Sequence, residues 1–213
     1  MIIKTNVANN SIIDRHETEK RIKNILAPYE KRKCKIYLLH GDMTDEEMHS
    51  LYKHSKIKSL VALPHGEGFG LPIFEAAYSD LPVIATGWSG QLDFLVDGDA
   101  KDCFYNVAFD IQPIPDEVVW DGVLIKESMW AYPREQSAKE KMRICYNDIL
   151  AGTKNRGEDR ALKLTARLEE EFSSEIKYKE FCNVISEEEA LEIENWLLGL
   201  QDDDESSEIV EYE

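Results

Sequence analysis

The chain is short of whatever would tie it to a disulfide scaffold, a membrane or a polyanion. Its four cysteines, Cys34, Cys103, Cys145 and Cys182, are scattered without a CxxC pair, which argues against zinc and against a disulfide framework and for reduced thiols. No apolar run approaches the roughly 20 residues that span a bilayer and no signal-like segment opens the chain, so a soluble, cytoplasmic protein is expected, with peripheral membrane association left open. Positive charge is also scarce: 25 lysines and arginines face 42 acidic residues, a net charge of −17. Twelve of those acids lie in residues 187–213, which hold no lysine or arginine, so the remainder is near balance at 25 against 30. The excess of negative charge argues against nucleic acid or anionic lipid as a main partner, because either repels such a chain. No DxD motif or ligand-spaced His and Cys set occurs, and the Asp202 to Asp204 run reads as a solvated tail; neither a metal nor a cofactor is expected.

What the chain does have is concentrated in residues 64–77, PHGEGFGLPIFEAA. A short apolar run at 59–63 reads as a buried strand. Gly66, Gly68 and Gly70 then alternate with other residues, and a helix is expected to open near Leu71 with Pro72 in its first turn. Glycines let a backbone approach a ligand closely, and the free N–H groups and positive dipole end of the following helix favour phosphate. Glu67 and Glu75, with seven residues between them, bracket that turn. A carboxylate accepts two hydroxyl hydrogen bonds from a vicinal diol, so the pair suits a diphosphate flanked by sugars. A tight strand-to-helix turn with solvated glutamates is the plainer alternative.

The string Glu67-Gly-Phe-Gly-Leu-Pro-Ile-Phe-Glu75, with Ala76-Ala77, Leu81-Pro-Val-Ile84 and Gly87-Trp-Ser-Gly90 following in register, closely resembles the donor-binding motif of the retaining family-four (group 1) glycosyltransferases of GT-B fold. The resemblance implies that Glu75 holds the ribose hydroxyls of a nucleotide sugar, and that Glu67 with the backbone of Gly68, Phe69, Gly70 and Leu71 addresses the transferred sugar and the diphosphate. Gly87, Ser89 and Gly90 are implied on the diphosphate side. By position, the loop His40, Gly41, Asp42 and Met43 is where the family places the base, and Lys4 is a further candidate at that mouth. The implied activity is metal-independent transfer of a sugar, with retention, to a hydroxyl of an acceptor that is a glycan, a lipid or a small molecule.

Taken in order, strands are expected at residues 1–7, 35–39, 59–63 and 81–85, and helices at 17–26, 44–53, from 71 and at 92–96, with 9–15 as polar loop. Thr44 and Glu47 form a capping box. An edge strand at 104–110, a connector at 112–116 and helices at 134–150, 160–172 and 175–185 complete a doubly wound, mostly parallel Rossmann-like α/β sheet with extra C-terminal helices. The resemblance implies that this is the C-terminal half of a GT-B fold. Residues 1–186 are expected to form the donor-binding domain, 187–200 a capped helix and 201–213 a disordered acidic tail. Trp88 is expected to cover the core.

The abrupt opening strand, with no match to the family's diphosphate-binding arginine and lysine, reads as a chain lacking its first strand and helix and its N-terminal acceptor domain. Three rivals follow. A donor-domain fragment that binds nucleotide sugar without turnover is the main one, and pairing of two such domains is a possible consequence. A glycosidase using two carboxylates is disfavoured by the glycine and helix context. An ordinary dinucleotide-binding protein is disfavoured because GEGFG is not GxGxxG.

Overall fold

A computed structural model describes residues 1–6, 10–99, 101–151, 156–184 and 191–196, with the side chains of 156–159 excepted. The expected tail at 201–213 and most of the expected helix at 187–200 lie outside the described residues; 191–196 of that helix is helical. The chain divides into two compact units, Met1–Ile57 and Lys58–Glu213.

The first unit is a parallel pair of strands with two helices. Strand β1 (Ile2–Thr5) runs beside β2 (Tyr37–His40), with Lys4 opposite Leu39 and Thr5 opposite His40. Helix α1 (Ile12–Leu26) begins five residues before the expected start, so 12–15 is helix and not loop: the Ser11 side chain caps it by accepting from the Asp14 N–H at 3.1 Å. Its buried residues are Asp14 and Thr18. Its apolar residues Ile22 and Leu26 are half-buried and Ile25 is exposed. Helix α2 (Asp45–Tyr52) carries the expected capping box, Glu47 N–H to Thr44 Oγ1 at 3.2 Å and Thr44 N–H to Glu47 Oε2 at 2.9 Å. It buries Tyr52.

The second unit is organised on β4 (Val83–Thr86), which is buried along its whole length between β3 (Leu60–Ala62) and β5 (Tyr105–Val107), all three parallel. Alternation along β4 feeds two layers. Val83 and Ala85 pack with Ile73, Ala77, Phe94, Leu95, Phe104, Leu164 and Leu168, contributed in part by α3 (Leu71–Tyr78), α4 (Leu92–Leu95) and α6 (Arg156–Glu171). Ile84 packs on the opposite face with Tyr105, Val107, Ala138 and Cys145, the last two from α5 (Glu135–Leu150). Each fully buried large apolar side chain here contributes on the order of 1.5–3 kcal/mol. Thr165 of α6 donates to Ala77 O at 2.8 Å, joining α6 to α3. Arg167 donates to Phe94 O and to Val96 O, closing the end of α4. A last helix, α7 (Ser174–Val184), follows.

Two expectations change here. Residues 104–110 are not one strand, because the chain turns at Ala108, whose N–H goes to Ser137 Oγ and whose carbonyl accepts from Arg134 N–H. Beyond the turn, β6 (Phe109–Pro113) pairs antiparallel with β7 (Met129–Pro133), so part of the expected connector is strand. Trp88 is 41% exposed with its ring 5.4 Å from Phe109 of β6, and it is not a core residue.

Candidate functional site

The site of the second unit starts from two glycine turns that hold each other. Gly70 is the N-cap of α3 and sits at φ 89°, ψ 53°, a left-handed conformation that disfavours any Cβ. Its carbonyl accepts from the N–H groups of Ile73 (2.9 Å) and Phe74 (3.0 Å), starting the helix. The ring of Phe69 points into the apolar layer, 5.0 Å from Phe94 and 5.3 Å from Phe74, and so anchors the turn from beneath. The N–H groups of Gly68, Phe69, Gly70 and Leu71 have no acceptor among the described residues. Four unspent donors therefore lie along the opening of α3, where the helix dipole adds partial positive charge.

The second turn, between β4 and α4, fixes the first. Ser89 adopts φ 79°, an uncommon position for a residue with a side chain. Its hydroxyl accepts from Glu67 N–H at 3.1 Å and donates to Glu67 O at 2.7 Å, while Gly90 N–H also donates to Glu67 O at 3.1 Å. The turns are packed so closely that a Cβ on Gly90 would lie 1.8 Å from Gly68 O. Below them Gln91 is fully buried and donates to Thr86 O at 3.0 Å.

Gly87, Ser89 and Gly90, expected to face a diphosphate, thus direct these donors inward. Gly87 N–H donates to Val107 O, and the other two hold the Glu67 backbone. Glu67 and Glu75 are both exposed, one on the turn and the other one helical turn inside α3 on the side of exposed Leu71 and Tyr78.

In the first unit the expected base-pocket residues form a polar network of their own. His40 Nε2 meets Asp14 Oδ2 at 2.9 Å and both side chains are nearly buried, so the imidazole is committed to α1. Gly41, at φ 97°, accepts through its carbonyl from Lys4 Nζ. Asp42 accepts from Asn10 Nδ2 at 2.7 Å and from Asn6 Nδ2 at 3.4 Å, and Met43 is half-buried. Asn6 and Asn10 were not singled out from sequence. Isolated asparagines in a polar stretch carry no local signal of a partner some 30 residues away.

His65 was also missed. It stacks on Trp130, ring centroids 4.9 Å apart and 4° from parallel, and bonds to Ala131 through Nδ1 and its carbonyl. Among the described residues no group of three His, Cys, Asp or Glu side chains could hold a metal ion, and no helix is long and apolar enough to cross a membrane.

A parallel α/β arrangement with a glycine turn opening a helix at a strand's carboxyl end is the class of site that binds phosphorylated ligands. The family model described as glycosyl transferases group 1 matches residues 3–111, just over half of the chain and all of both glycine turns. The chain belongs to the group 1 glycosyltransferases, a glycosyl-transfer family. No curated protein matches it.

Proposed function

We propose that this chain binds the donor of a retaining glycosyl transfer, a nucleoside-diphosphate sugar, at the mouth of α3. The observation that carries the reading is the row of unspent N–H groups from Gly68 to Leu71 on a turn already held in place by Ser89 and Gly90. As the bond between the anomeric carbon and the diphosphate oxygen breaks, its electron pair moves onto the diphosphate. Charge builds there, and fixed amides with a helix dipole stabilise it with no reorganisation and no divalent cation. A hydrogen bond to a charged group contributes about 1.5–3 kcal/mol, so two or three such amides supply a substantial share of leaving-group stabilisation.

Glu75 takes the ribose hydroxyls and Glu67 positions the transferred sugar. Gly87, Ser89 and Gly90 act by holding Glu67 in register. The acceptor hydroxyl then attacks on the face the diphosphate leaves and passes its proton to the departing diphosphate oxygen, giving retention.

Calorimetric titration with UDP, GDP, ADP and their sugars, in the presence of a chelator, tests this. One nucleotide series binds, and Glu75→Ala weakens it by about 1–3 kcal/mol. Failure of every nucleotide to bind, or binding only with a divalent metal, contradicts it. The second reading is a domain that binds the donor without turning it over. A glycosyl-transfer assay on the same protein separates the two.

A further inference from the structure

The hairpin β6–β7 holds the other end of the Glu67 turn. Ala131 stands opposite Ile111 in the hairpin register, yet its N–H donates at 3.1 Å to the carbonyl of His65 and its own carbonyl meets His65 Nδ1 at 2.8 Å. A carbonyl oxygen only accepts, so Nδ1 carries the hydrogen. One residue thus serves both main-chain groups of Ala131 on the edge of β7, as an added strand would, with the imidazole standing in for a backbone N–H. Trp130 and Tyr132 lie one residue to either side of Ala131 and share a strand face. The imidazole is parallel to Trp130 at 4.9 Å and tilted against Tyr132 at 4.6 Å.

The hairpin is itself fixed at its base. Arg134 Nε donates to both carboxylate oxygens of Asp110 at 3.0 Å, and Phe109 rests against Trp88 of the second glycine turn. The family match ends at residue 111, within β6, so β7 lies beyond it.

We propose that the β6–β7 hairpin, acting through His65, sets the position of the Glu67 turn, which makes His65 a positioning residue for the donor sugar. Only Gly66 separates His65 from Glu67, whose backbone is held by Ser89 and Gly90. With both neighbours pinned, this glycine has little freedom; with His65 released, its φ and ψ open and the Glu67 carboxylate loses a fixed direction. The diphosphate donors, from Gly68 onward, remain tied through Phe69 and Gly70.

The inference deepens the donor-binding reading and rests on it for its ligand, so two measurements on the full chain keep the two apart. Substitution His65→Phe keeps a flat ring against Trp130 but removes the donor; His65→Asn replaces the donor through Nδ2. In calorimetry, His65→Phe weakens binding of the nucleotide sugar by about three- to tenfold while binding of the bare nucleoside diphosphate stays within about twofold, and His65→Asn restores wild-type behaviour. Equal weakening of both ligands, no weakening, or an asparagine variant no better than phenylalanine overturns the proposal. Amide hydrogen exchange, which needs no ligand, is the second measurement. His65→Phe accelerates exchange at both Ala131 and Glu67, whereas acceleration at Ala131 alone shows that the staple does not reach the turn and overturns the proposal. If wild-type protein binds no nucleotide, the donor reading fails, and the exchange result still decides the staple.

Discussion

Substituting Gly90 by alanine perturbs the contact on which the geometry of both glycine turns depends. An added Cβ would stand 1.8 Å from Gly68 O, 2.7 Å from Gly68 C and 3.0 Å from Glu67 O, all backbone atoms, whereas real Cβ contacts essentially never fall under 3.0 Å. The turns must separate by more than about 1 Å, because close-packed backbone has no rotamer with which to yield. Three hydrogen bonds cross the gap: Gly90 N–H to Glu67 O, Ser89 Oγ to Glu67 O, and Glu67 N–H to Ser89 Oγ. At about 1 kcal/mol each their loss costs about 3 kcal/mol, which lowers Tm by roughly 6–12 °C for a chain of this size. Thermal unfolding followed by circular dichroism reads the stability, and calorimetry reads donor affinity. Gly68→Ala is the control, since its Cβ meets nothing within 4 Å and its φ is not in the left-handed region. It leaves Tm within about 2 °C but weakens nucleotide binding, because the new methyl fills open space beside the amides proposed to hold the diphosphate. A Gly90→Ala protein as stable as wild type, binding donor equally well, would refute the reasoning.

Two further outcomes follow from single side chains. Arg167→Met removes the donor to the carbonyls of Phe94 and Val96 at the end of α4; denaturant unfolding should show a loss of about 2 kcal/mol, with donor affinity at saturating stability unchanged. The phenol of Tyr105 is held above its ordinary pKa, first by burial and then by its 2.9 Å bond to Asp148. The folded protein therefore keeps a proton that the unfolded chain releases above about pH 10. Stability is insensitive to this group below that pH and falls above it, and Tyr105→Phe flattens that alkaline limb in denaturant unfolding followed across pH.

What could be read in the sequence was what is encoded locally. The glycine turn before α3, the Pro72 in its first turn and the Thr44 capping box depend on residues within one turn of each other, and each appears where its spacing places it. The parallel strands were legible because β4 is apolar on both faces. The start of α1 was missed although Ser11 and Asp14 stand at capping-box spacing. Ile12 and Ile13 are exposed there, and the buried face consists of Asp14 and Thr18, a pattern opposite to the one hydrophobic periodicity detects. Asp14 is buried because His40, 26 residues away, meets it. The division of residues 104–113 into β5 and β6 rests on Ala108, whose partners, Arg134 and Ser137, are distant in sequence. The same holds for the inward commitment of Ser89 and Gly90 and for the His65 staple: both are long-range pairings set by tertiary register, which no short window of residues contains.

The bare amides at the mouth of α3 are proposed to grip a diphosphate. Amide-resolved NMR of the full chain, titrated with a nucleoside diphosphate, addresses it at the atoms concerned. Saturable shifts are expected at Gly68, Phe69, Gly70 and Leu71, with little change at Gly87 and Gly90, whose N–H groups already have protein partners. Saturable binding that leaves those four amides unmoved, with the shifts elsewhere in the chain, would contradict it.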